Sequence, residues 1–189
     1  MTAISRDGIA ERFRKRADAF ATLIRNTPPH AWTNPSPCDG WLARDVVAHV
    51  VGFFGHVLRE KAGVASLPWA TASADDPATA FHGIREAVQQ VLDDPATTDE
   101  LTKYLDAALS FDLPQHWWDL AKATGQDAAM DPEEVELLWA ALSPQSPDWW
   151  KWQVDNGHYA PAVPVPDDAP LQDRVLGLIG RDPNWTLPR

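Results

Sequence analysis

The sequence predicts an all-α protein, on three observations. Apolar residues recur three or four apart through most of the chain, strict strand alternation is absent, and prolines and glycines gather between the periodic stretches. At 189 residues the chain suffices for one domain with its own core.

Asp7 is the expected N-cap of a first helix over residues 9–25, where Ile9, Phe13, Ala17, Phe20 and Ile24 form the apolar stripe. Pro28, Pro29, Pro35 and Pro37, with Gly40, make residues 27–41 a rigid connection. A second helix is expected over residues 42–61, on Val46, His49, Val50, Phe53 and Val57. Residues 63–77 connect it to a third helix that opens at Pro77, carries Phe81, Ile84, Val88 and Val91, and ends at Asp93, Asp94 and Pro95.

A fourth helical segment runs from Asp99 toward Ala123, with Leu101, Leu105, Ala108, Leu109, Asp112, His116 and Leu120 on one side and Gly125 as its stop. Pro114 interrupts it, because proline lacks an amide donor and collides with the carbonyl four residues back. The helix either kinks there or restarts near Asp112. Asp131 and Pro132 begin a fifth helix on Val135, Leu138, Trp139 and Leu142. Prolines 144, 147, 161, 164, 166 and 170 predict an extended strap, followed by a short helix over residues 171–179.

Composition narrows the function classes. Lysine and arginine total 16 against 27 acidic residues, a net charge of -11 and the wrong sign for neutralising phosphates, so nucleic-acid binding is not expected. Charges through the second half of residues 1–16, with no apolar run there, speak against a secretory signal, and the lack of about eighteen uninterrupted apolar residues speaks against a membrane span. The expectation is a soluble, cytoplasmic protein. Cys38, the single cysteine, has no internal partner and reads as a packing residue, because nothing basic flanks it and Asp39 disfavours a thiolate. Ten tryptophans read as core and subunit-interface packing, which makes a homodimer an expectation.

The chemistry concentrates in Asp112 and His116. Four residues apart on one helix face, they stand about 6 Å apart along the axis and can reach one metal ion. A third ligand must come from elsewhere, and His49, on the apolar stripe of the second helix, is the candidate. A histidine on such a stripe is, taken alone, more often a buried residue bonded to a carbonyl. Asp119, one turn past His116, can orient that imidazole through its other nitrogen or sit in solvent. His56 and His82 read as surface residues, and Asp45 as a carboxylate favoured by the helix dipole.

Three stretches carry a family likeness. Pro35-Ser36-Pro37-Cys38-Asp39-Gly40-Trp41-Leu42 leads into the helix that ends its motif at His49. Asp112 to Gly125 reads acid, three residues, histidine, and then, past Trp117, Trp118-Asp119-Leu120-Ala121. The tail holds Val163-Pro164-Val165-Pro166, Gln172-Asp173-Arg174 and Gly180-Arg181-Asp182-Pro183. In this order they resemble the DinB-like metal-binding superfamily, in the branch named after mycothiol-dependent maleylpyruvate isomerase and its small single-domain subgroup.

The resemblance implies a DinB-like four-helix bundle with extra short helices and a proline-rich strap. Residues 1–143 form the metal-binding bundle, and residues 144–189 pack on the same domain. It also implies a divalent metal, zinc before nickel or iron, on His49, Asp112 and His116, with a low-molecular-weight thiol such as mycothiol as cosubstrate. Thiol-dependent transfer or isomerisation of a small molecule is the implied activity, and a non-enzymatic metal-binding or interaction protein of the same fold is the alternative. Two departures stand out: the isomerases are expected to carry glutamate where Asp112 stands, and a separate C-terminal domain where this sequence has a strap of about forty residues.

Overall fold

A computed structural model of the protein describes residues 5–66 and 76–188, which form eight α-helices and no strand among the described residues. The connection expected over residues 63–77 lies mostly outside them. Helix α1 (Arg6–Asn26) is capped by Ser5, whose hydroxyl accepts from the Gly8 amide at 3.2 Å, and Asp7 sits in its first turn instead of at the cap. Ile9, Phe13, Ala17, Phe20 and Ile24 are all buried. A short 3-10 turn (Pro29–Thr33) interrupts the connection expected to be free of helix.

Helices α2 (Ala43–Ala62), α3 (Pro77–Asp93) and α5 (Asp112–Thr124) complete a four-helix bundle with α1. Each touches two neighbours, in the cyclic order α1, α3, α2, α5. Val46, Val47, Val50, Val51, Phe54 and Leu58 of α2 are fully or almost fully buried in it, each side chain contributing about 1.5–3 kcal/mol relative to exposure. Asp45 accepts the Leu42 amide at 2.9 Å and so caps α2.

The segment carrying Pro114 is two helices, not one. Helix α4 (Asp99–Leu105) widens into a π-helical turn (Asp106–Ser110), and after Phe111 a new helix starts at Asp112. Pro114 thereby falls in the first turn of α5, where its missing amide leaves no helical bond broken. The acceptor it cannot serve, the carbonyl of Ser110, takes a hydrogen bond from Arg16 Nη1 at 2.8 Å. Arg16 also donates to Ser110 Oγ at 3.0 Å and through Nε to Glu134 at 2.7 Å.

A second, smaller core lies on the opposite side of α5. Trp118 packs there with Met130, Leu138 and Leu142 of the segment containing α6 (Pro132–Leu142), and with Val175, Leu176 and Ile179 around α8 (Leu171–Leu178). Within the proline-rich strap the chain forms a further helix, α7 (Pro147–Asp155), where extended structure was expected throughout. Pro147 opens this helix at its first position, where proline is tolerated, and Ser146 caps it. Helix α5 is thus enclosed from both sides, and its residue Asp119 is 0% exposed.

Candidate metal centre

Helices α2 and α5 bring His49, Asp112 and His116 together, with one ligand atom of each within 4.8 Å of the others. His116 Nε2 lies 3.5 Å from Asp112 Oδ1, which the restart of the helix at Asp112 makes possible. The rings of His49 and His116 meet edge to face, with centroids 4.7 Å apart. Trp41 lies against both, at 4.9 Å from His49 and 6.1 Å from His116, and Phe53 stacks on His49 at 6.0 Å.

The donor set suits a divalent cation. Asp112 Oδ2 is buried without a hydrogen-bond partner among the described residues, an uncommon state for a carboxylate oxygen and a costly one. Burial pushes the Asp112 carboxyl above its ordinary value, with His116 opposing. Burial alone would lower His116, but Asp112 and Asp119 outweigh it and raise the imidazole. His49 moves the other way, down to about 4, because of burial and the neighbouring charge on His116. Asp112 and His116 are therefore both shifted toward their protonated forms in the place where two imidazoles and a carboxylate converge.

Asp119 is not in solvent. Its Oδ2 accepts from His116 Nδ1 at 3.0 Å, and this assigns the proton of the neutral ring to Nδ1 and leaves Nε2 to face Asp112. Both carboxylate oxygens also accept from Arg181, Nε to Oδ1 and Nη2 to Oδ2, each at 2.9 Å. Burial would raise this carboxyl, but Arg181 and His116 hold it far below the usual range.

Cys38 belongs to the same network, which its sequence neighbours did not reveal. Its thiol donates to Asp119 Oδ2 at 3.1 Å and accepts from Arg181 Nη2 at 3.2 Å. Burial, and then Asp119, push the thiol pKa well up against the pull of Arg181, so Cys38 stays neutral. Cys38, His116 and Asp119 also lie within metal-ligating distance of one another. The guanidinium against both Cys38 and Asp119 makes that triad a hydrogen-bond network and not a second cation site.

The loop holding Cys38 is pinned at both ends. Ser36 N donates to Trp41 O at 2.8 Å, Ala43 N donates to Asn34 O at 2.8 Å, and Asn34 Nδ2 reaches Ala123 O of α5 at 3.0 Å. On the other side of Asp112, Gln115 Nε2 donates to Phe111 O at 2.9 Å and reaches Tyr159 Oη at 3.4 Å. Burial raises the Tyr159 phenol, Gln115 opposes this, and Asp112 adds to it. Arg181 and Tyr159 escaped the sequence reading as site residues, although Arg181 stood in the tail motif. His56 and His82 are exposed, as expected.

The description mycothiol maleylpyruvate isomerase N-terminal domain matches residues 13–164. Two curated proteins of Mycobacterium tuberculosis are similar along nearly their whole length: uncharacterized protein Rv0738 (strain ATCC 25618 / H37Rv) and uncharacterized protein MT0763 (strain CDC 1551 / Oshkosh). Each is 31% identical over 184 residues, covering 89% of this chain and 94% of its own. No solved structure gives a significant match. With most of its length matched to that description, the chain belongs to the mycothiol maleylpyruvate isomerase N-terminal domain family, and with it to the DinB-like superfamily.

Proposed function

We propose that this protein binds one divalent metal ion, zinc before nickel or iron, on His49, Asp112 and His116, and promotes a thiol-dependent transfer or isomerisation on a small molecule. The observation that carries the metal reading is the convergence of two imidazoles on a buried carboxylate with an unpartnered oxygen. Three protein ligands leave a coordination position open, as a catalytic zinc needs and a structural zinc lacks.

When bound, such an ion lowers the pKa of a coordinated thiol or water. The chain's own residues do the rest. Asp119 keeps the Nδ1 proton of His116 in place, and Trp41 and Phe53 shield the imidazoles from bulk water. Gln115 and Tyr159 supply polar groups beside Asp112, where a substrate can be oriented. Mycothiol is the thiol that the family description names, and it enters as the first cosubstrate to try. Asp112 stands one methylene further back than glutamate would, so the substrate need not be maleylpyruvate.

A cytoplasmic setting fits a free, half-buried Cys38. No helix among the described residues is long and apolar enough to cross a membrane. A non-enzymatic binding role is the second reading, favoured by α7, which buries none of its residues and leaves Trp152 55% exposed, a surface suited to a homodimer.

The test is calorimetric titration of the zinc-loaded protein with low-molecular-weight thiols, followed by turnover with a panel of electrophiles. Thiol binding that depends on the metal is expected. Neither binding nor turnover would overturn the enzymatic reading and leave the binding role.

A further inference from the structure

Arg181 reaches the centre from outside the bundle, and the backbone before it is shaped for that delivery. Val163 N donates to Gly177 O at 2.9 Å, and a Cβ on Gly177 would lie 2.7 Å from Val163 O, so α8 and the strap touch backbone to backbone. Gly180 follows at φ +79°, where a Cβ would come within 2.6 Å of Ala160 O. Arg181 N then closes the helix end on Leu176 O at 2.8 Å. This left-handed turn, open only to glycine at that spacing, sends the next side chain back toward α5.

The guanidinium arrives in the two-pronged geometry that matches a carboxylate, with Nε and Nη2 on the two oxygens of Asp119. Asp119 holds the His116 ring through Nδ1 only while its oxygens stay fixed in direction. Asp119 is 0% exposed, and removing Arg181 strips its carboxylate of the one cationic partner it has among the described residues besides His116. The carboxylate is then free to turn, and that turn releases the His116 ring.

We propose that Arg181 is a positioning residue for the candidate metal centre: by clamping Asp119 it fixes the tautomer and angle of the His116 ring, so the C-terminal segment completes a site whose ligands lie in α2 and α5. This rests on the metal reading of the preceding section. The residue lies beyond the stretch matched by the family description, residues 13–164.

The experiment loads wild type, Arg181→Met, Arg181→Lys and a control, Arg174→Met, with cobalt(II). Arg174 stacks its guanidinium 4.4 Å from the Trp139 ring, on the same C-terminal segment. Affinity is read by competition with a chromophoric chelator and ligand geometry by the cobalt d–d spectrum. A loss of about 10–100-fold with an altered spectrum is expected for Arg181→Met, as for other residues that orient a metal-bound histidine. Arg181→Lys, which keeps the charge and loses the fork, should fall between, and the control should match wild type. Wild-type affinity and spectrum in Arg181→Met would overturn the proposal. Should that variant fail to fold, Arg181→Lys decides by the same criterion. Absence of cobalt binding to wild type would instead overturn the metal reading itself.

Discussion

Arg16 donates to the backbone carbonyl of Ser110 at 2.8 Å, the oxygen for which Pro114 has no amide to offer. A buried guanidinium on α1 thus serves the carbonyl that no amide of α5 reaches and stabilises the break that lets α5 begin at Asp112. Arg16→Met should cost about 3–5 kcal/mol, the usual penalty for breaking a buried charged pair, here with Glu134 left behind. Denaturant titration of the metal-free protein measures it. A loss below 1 kcal/mol would mean that Phe111 and its neighbours hold the break without help.

Metal binding should stabilise the fold through the three proposed ligands. Zinc at about a thousand times its dissociation constant adds about 4 kcal/mol by linkage. His116→Ala, His49→Ala and Asp112→Asn should each abolish most of that increment, and elemental analysis of the purified variants should show the metal lost. Equal metal content in wild type and His116→Ala would remove His116 from the centre.

Acid stability of the metal-free protein follows from the opposite displacement of two imidazoles. His49 titrates at about 4 when folded and near 6.5 when unfolded, so between those values only the unfolded chain takes up its proton. Stability from His49 therefore falls as the pH drops through that window. His116, raised above 6.5, contributes stability below that value that is lost as the pH climbs through its folded pKa. Asp112, raised by burial, opposes His49 at the acid end. The informative quantity is the difference between wild type and His49→Gln in urea midpoints across the window. Wild type should lose more on acidification, and parallel curves would contradict the assignment.

Gly180→Ala should cost at least about 2 kcal/mol, since alanine pays for the left-handed backbone and its methyl collides with Ala160 O. Thermal unfolding gives the figure. Weaker cobalt binding should accompany it, because the same turn aims Arg181.

Much of the bundle was legible because its helices bury regular stripes: every apolar residue assigned to the first helix is buried. Periodicity could not choose between a kink and a restart at Pro114, since the answer depends on Arg16, distant in sequence and unremarkable on a charged helix face. Nor could it show α7, whose Pro147 reads equally as a strap residue or a first helical position. The site divides along the same line. Asp112 and His116 announce themselves by spacing within one helix, whereas the meeting of Cys38, Asp119 and Arg181 is a product of tertiary packing alone.

Trp41 rests against both imidazoles, with ring centroids 4.9 Å from His49 and 6.1 Å from His116. An open-shell ion held by those rings would drain the excited indole, while closed-shell zinc would leave it bright. The protein therefore carries its own optical gauge of occupancy in Trp41.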